Sequence, residues 1–495
     1  MLEPLKSGRW SESAAAHLLN RAGFGGKPSE IERLRGLGVE GAVARLLDGE
    51  GAGDPMPLDP PEWAHPEPDR MEKLRTMRAA GEEERRKMRQ AEQRGQRLRT
   101  EELRGWWLRR MAATPRPFEE KMVLFWHGHF ATSVQKVRSP WLMYRQLDLF
   151  RTHGLGKWPD LLVEVTRDPA MLIWLDQARS RREHPNENYA REVMELFALG
   201  EGHYTEKDIL ETARALTGLG LNQATQEPEW RPRQHDPGTK TVLGRSGPLG
   251  PDEVIRHIAR QPQSARHVVS RLWRFFASET APAGVIEGLA AELEKCGGEI
   301  RPVMRKMFLA DAFYSPEVVR TQIKSPVQWL VCAFRELERP LQPGATPMIT
   351  GALRELGQDL LAPPNVKGWD GGVSWINTAT LTRRQQLAAV LVDGRAAIAA
   401  QAPGERGERM RERMAARSPD RTPGARPVET IFSAEERRDR KRLLAALEGR
   451  FLHAPMRSQL GEDVNEVLGD DAVPDPRAIR KAVRVVLEAT DYQLT

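Results

Sequence analysis

Apolar residues recur at three- and four-residue spacing along most of the chain, which is the signature of amphipathic helices. The segment Glu12-Ser13-Ala14-Ala15-Ala16-His17-Leu18-Leu19 predicts a short helix that stops at Arg21-Ala22-Gly23-Phe24-Gly25-Gly26, where glycines permit a tight turn. The pattern is densest between Trp106 and Gly218, in WWLRRMAAT, EKMVLFWH, WLMYRQLDLF, LLVEVT and YAREVMELFALG, and it resumes from Asp252 through Arg339. Between Leu219 and Gly250 Pro, Gly, Gln and Trp accumulate, and short strands or an ordered loop are expected. The run Pro363-Pro364-Asn365-Val366-Lys367-Gly368-Trp369-Asp370-Gly371-Gly372 mixes too many rigid and flexible residues for a helix and predicts an ordered loop. The fold class is therefore mainly α: a large single multi-helical domain with charged insertions and a few ordered loops rich in Pro, Gly and Trp.

Two segments break the pattern. Residues 69–102 carry strong helix formers with alternating charge and almost no large apolar side chains, which predicts a solvated helix or helical hairpin. Apolar heptads for a coiled coil are missing. Residues 401–433 are rich in Arg, Gly and Pro, and disorder is expected there.

Composition narrows the classes. The 75 Lys and Arg nearly balance 69 Asp and Glu, and much of the +6 excess sits in the two charged segments. With no nucleic-acid motif, nucleic acid is not an expected partner. Only Cys296 and Cys332 occur, which excludes a disulfide framework and any cysteine-built zinc or iron–sulfur site. The first residues lack a positively charged lead followed by an apolar run, and no stretch of about 18 apolar residues occurs. A cytoplasmic protein without a transmembrane segment is the expectation.

A series of phrases stands in order along the chain: His17-Leu18-Leu19 with Arg21-Ala22-Gly23-Phe24-Gly25, Lys121-Met122-Val123-Leu124-Phe125-Trp126-His127-Gly128-His129-Phe130, and Pro185-Asn186-Glu187-Asn188-Tyr189-Ala190-Arg191-Glu192. His235-Asp236-Pro237-Gly238-Thr239-Lys240, Lys324-Ser325-Pro326-Val327 and Asn365-Val366-Lys367-Gly368-Trp369 follow. Together they resemble the DUF1800 family, bacterial proteins of unknown function. The resemblance implies one domain over residues 1–495, with 69–102 and 401–433 as insertions, and a sulfatase-like companion protein as partner. It implies no reaction.

The residues themselves offer three constellations. On a helix, Glu187, Asn188, Arg191, Glu192 and Glu195 fall within a roughly 140° arc opposite an apolar side. Such a face is either a solvated surface with i,i+4 ion pairs or, inside a cleft, a set of cation ligands or an acid and base pair. His127 and His129 form an H-x-H pair that would chelate a metal on a strand, but diverge by about 200° on a helix. His235-Asp236 with Lys240 offers an oriented His–Asp pair or an anion grip, or a plain turn.

The leading expectation is a metal-assisted hydrolase or transferase. In it His127, His129, Glu187 and Glu195 hold a divalent metal ion, and Glu192, Arg191, His235 and Asp236 are catalytic. Asn186, Asn188, Lys240, Lys367 and Trp369 bind substrate. The alternative is a non-catalytic binding or assembly protein acting with its companion. The nucleophile motif of serine hydrolases and the phosphate-loop and dinucleotide fingerprints are absent.

Overall fold

Three helices are apolar around most of their circumference, and such helices can only lie inside a shell of others. Glu12–Ala22 starts on Ser11, whose hydroxyl accepts the Ala14 amide at 3.2 Å, and is buried from Ala14 onward. Pro117–His129 opens on a proline, which loses nothing by lacking an N–H in the first turn, and buries Phe118, Met122, Val123, Leu124, Phe125 and Trp126. Pro326–Glu336, capped by Ser325, buries every residue. Amphipathic helices such as Trp158–Arg167, Pro262–Phe276 and Pro476–Glu488 bury one apolar face each.

The computed structural model describes residues 2–49, 59–394, 427–471 and 473–495. Helix takes 65% of it and strand 4%, which makes the class mainly α. One apolar cluster runs from Leu5 to Tyr492 and binds the elements into a single domain. The Pro/Gly/Gln/Trp-rich stretch forms two small antiparallel hairpins, Leu219–Leu221 with Pro228–Trp230 and Lys240–Val242 with Arg245–Gly247.

The charged segment consists of the helix Arg70–Ala79 and the first part of a 32-residue helix, Glu82–Ala113. That helix stays outside the core until Thr100 and then buries Leu103, Trp106, Trp107 and Leu108. It crosses the Thr346–Glu355 helix at Gly105, where a Cβ would lie 2.5 Å from the Thr346 side chain. Of the second charged segment, 401–426 lie outside the described residues. The expected disorder does not extend over 427–433, because Val428 and Phe432 are buried there and Glu429 pairs with Arg480 at 2.9 Å.

The run from Pro363 is a loop, as expected, and ends in a short 3-10 turn, Gly372–Trp375. Gly368 pins it to the end of the Pro117–His129 helix. It has φ +83°, and a Cβ would fall 2.3 Å from the Gly128 carbonyl oxygen.

Candidate functional site

The three buried helices leave polar groups at the point where they meet. Asn20 and Gly23 end the first helix with carbonyls that have no partner within it, and side chains of the other two supply donors. Gln328 Nε2 donates to Asn20 O at 2.9 Å, and Lys121 Nζ donates to Gly23 O at 2.9 Å and to Gln328 Oε1. A buried ammonium at a helix C-terminus is favoured by the negative end of the dipole. Burial nevertheless pushes the Lys121 amine down to about 7, with the nearby Arg21 pushing the same way and Cys332 raising it.

Beside this junction lies a cavity of about 230 Å³. Arg21, 2% exposed, enters from the first helix; it donates to Val318 O at 2.7 Å and to Gln322 Oε1, and burial lowers its pKa to about 9. Lys121 and Gln328 form the adjoining wall. Lys324, also 2% exposed, places its ammonium 3.6 Å from the centre of the Tyr492 ring, a cation–π contact. Arg271, on the Pro262–Phe276 helix, is held down by burial. None of these four cations forms a carboxylate salt bridge among the described residues, and for Lys324 and Arg271 no side-chain hydrogen bond is made either.

Aromatic rings close the cavity. Trp369 and Trp375 come from the loop that Gly368 pins down, and Phe125 and Phe275 from the helices. At the rim Arg274 pairs with Glu279 at 2.7 Å, and a Cβ on Gly372 would meet the Glu279 carboxylate at 3.0 Å. Beneath Lys324, the fully buried Glu336 accepts the Tyr492 hydroxyl at 2.6 Å. Burial raises the Glu336 carboxyl to about 7 while Lys324 draws it down. An acid so raised only partly offsets its lysine.

The family scan matches the DUF1800 model, described as a protein of unknown function, over residues 17–494. The chain belongs to the DUF1800 family. No curated protein and no solved structure matches it. In this DUF1800 protein Arg21, Lys121, Lys324 and Trp369 all come from the phrases that carried the resemblance, so segments more than 300 residues apart in sequence meet at one cavity.

Among the site residues expected from sequence, His129 and Trp369 line this cavity. Among the described residues no group of three or more His, Cys, Asp and Glu side chains is arranged to hold an ion. His127 and His129 share a helix and diverge. His127 Nε2 accepts the Leu361 amide at 3.1 Å, so its lone pair is taken, and its ring lies between Trp107 and Trp369 at 5.5 Å from each. Burial lowers it to about 3. His129 Nε2 donates to Phe197 O at 3.0 Å, and burial holds this ring neutral as well.

The partner helix changes form along its length. Glu187–Glu192 is α-helical, but Val193–Ala198 widens to a π-helix. There the Leu199 amide reaches back to Met194 O at 2.9 Å, and the carbonyls of Leu196 and Phe197 accept from His267, at 2.9 Å, and His129. The widened turn therefore shifts the polar arc and gives both histidines a structural partner. Glu187 is exposed and 4.0 Å from Arg191, while Arg191 grips Glu206 with two bonds of 2.8 and 2.7 Å. Glu195 accepts the Tyr204 hydroxyl at 3.2 Å. Asn186 caps the helix, receiving the Asn188 amide at 2.9 Å, and Asn186 and Asn188 both donate to Leu175 O. Glu192 is half-buried; burial and Glu195 push its carboxyl up, and the exposed Lys367 pulls it down.

His235, Asp236 and Lys240 form a separate knot. Asp236 holds Arg214 at 2.8 Å, which depresses its carboxyl, and Lys240 donates to the Asp236 carbonyl. His235 Nδ1 donates to Thr217 O at 2.8 Å. The knot ties the hairpin loop to the Glu206–Leu216 helix. Sequence reasoning passed over Arg21, Lys121, Arg271 and Lys324. Lys121, a lone cation inside the apolar run EKMVLFWH, carried a usable signal; Arg271, in VVSRLWRFF, did not.

Proposed function

We propose that this DUF1800 protein binds a small organic anion, with Arg21, Lys121, Arg271 and Lys324 gripping a carboxylate, phosphate or sulfate group and Trp369 and Trp375 covering an apolar body. The observation that carries the reading is the convergence on one cavity of four cations, none of which forms a carboxylate salt bridge among the described residues. Burying charge without a counter-ion is costly, and an incoming anion relieves that cost. The volume, about 230 Å³, is below the roughly 300–1,000 Å³ of clefts for drug-sized ligands, so the occupant is a compact acid. This is the binding branch of the sequence reading.

Thermal and calorimetric titration with phenyl phosphate, benzoate and inorganic phosphate tests it on wild type and on the Lys324→Gln and Arg271→Gln variants. A bound anion at one hundred times its Kd stabilises the wild type by about 2.7 kcal/mol, and the variants lose most of that. Equal stabilisation of all three chains removes the cavity from consideration.

A further inference from the structure

A second cavity, of about 610 Å³, opens between the exposed half of the Glu82–Ala113 helix and the core. Trp63, His65, Glu92 and Arg99 stand on its outer side, and Arg138, Trp141, Asp176 and Arg179 on its inner side. Eight non-glycine residues among those described have positive φ, and three of them line this cleft: Arg138 at 54°, Asp176 at 57° and Gln226 at 58°. The left-handed region costs an L-residue roughly 1 kcal/mol, and such strain clusters at ligand clamps.

The charges are unevenly matched. Lys136 is neutralised by Asp176 at 2.7 Å, and Arg70 donates to Gln223 O at 3.0 Å. The side chains of Arg99 and Arg179 make no hydrogen bond or ion pair among the described residues, and the Arg138 guanidinium reaches only Gln135 O, at 3.5 Å. Three guanidinium forks therefore face an open cleft that also presents two tryptophans and acceptor carboxylates.

From this combination we infer that the cleft binds an acidic oligosaccharide, a chain of sugar rings bearing carboxylates. Tryptophan faces pack on the C–H faces of pyranose rings. The arginines take sugar carboxylates bidentately, as their planar fork favours. Glu67, Glu92 and Asp176, also on the cleft wall, accept from sugar hydroxyls, since an ionised carboxylate is an acceptor only. The inference is independent of the anion cavity and shares no residue with it.

Isothermal titration with an oligogalacturonate, a cello-oligosaccharide of the same length and an oligoadenylate tests it. The wild type should bind the oligogalacturonate at one site per chain. Arg99→Gln combined with Arg179→Gln, both exposed positions, should weaken that binding at least tenfold with an unchanged circular dichroism spectrum. Arg271→Gln combined with Lys324→Gln, in the other cavity, should leave it unchanged. The inference is overturned by no heat at millimolar oligogalacturonate, by equal binding in the Arg99/Arg179 variant, by loss in the Arg271/Lys324 variant, by equal binding of the uncharged saccharide, or by tighter binding of the oligoadenylate.

Discussion

A charged head group removed from water either finds a counter-charge or gives up its charge, and Lys121 sits at that balance. Burial brings its amine to about 7. The unfolded chain holds this proton up to about pH 10.4, so between roughly pH 7 and 10 the unfolded state binds more protons and the folded state gains stability as pH rises. Denaturant unfolding of wild type and Lys121→Met at pH 6.5 and 9.5 should show a gain of a few kcal/mol in the wild type that the variant lacks. A ligand anion reverses the preference by favouring the ammonium. Affinity for phenyl phosphate should accordingly fall as pH rises through about 7, where Lys121 discharges and Glu336 ionises beside Lys324. The individual residues were partly legible in the sequence. The polar character of the 187–195 face was visible, but its neighbours were not. Arg191 pairs with Glu206 on the next helix, a contact that only tertiary placement creates.

At the scale of elements, two local departures from regular helix decide what the site is. The π-helix at Val193–Ala198 turns two carbonyls toward His267 and His129, whose Nε2–H groups they accept. Nothing in VMELFA announces this, because the widened turn is stabilised by donors from elsewhere. The loop from Pro363 was predictable as a loop, and its glycines and prolines say why. Its contact with the Pro117–His129 helix was not. Alanine at Gly368 would place a Cβ 2.3 Å from a backbone oxygen at a φ of +83°. Gly368→Ala should therefore displace Trp369 and weaken anion binding at least tenfold while the far-ultraviolet circular dichroism spectrum stays that of the wild type. Unchanged affinity would mean that the tryptophan loop does not form the cavity's cover.

At the scale of the whole molecule, we read residues 69–97 as an addition that the core does not need. No side chain from Asp69 to Arg99 is fully buried, and the first buried residue of the Glu82–Ala113 helix is Thr100. A chain with 69–97 replaced by a short Gly/Ser linker should unfold cooperatively, with a melting temperature within about 4 °C of the wild type, the shift that about 1 kcal/mol makes in a domain of 150–250 residues. It should keep phenyl phosphate binding and lose oligogalacturonate binding. A chain that fails to fold would make the segment part of the core. The described residues contain no helix long and apolar enough to cross a membrane.

The sequence by itself determined the mainly α class, the family, the positions of the principal loops and the outlying nature of the first charged segment. These follow from period, composition and phrase order, which act over a few residues at a time. It did not determine where that segment ends, since its charged turns and the buried Trp106–Trp107 turn belong to one unbroken helix. It also did not determine the site. Whether a lysine or histidine is solvated, paired or left facing a cavity depends on groups hundreds of residues away. Arg21, Lys121, Arg271 and Lys324 come together only when the elements that carry them pack.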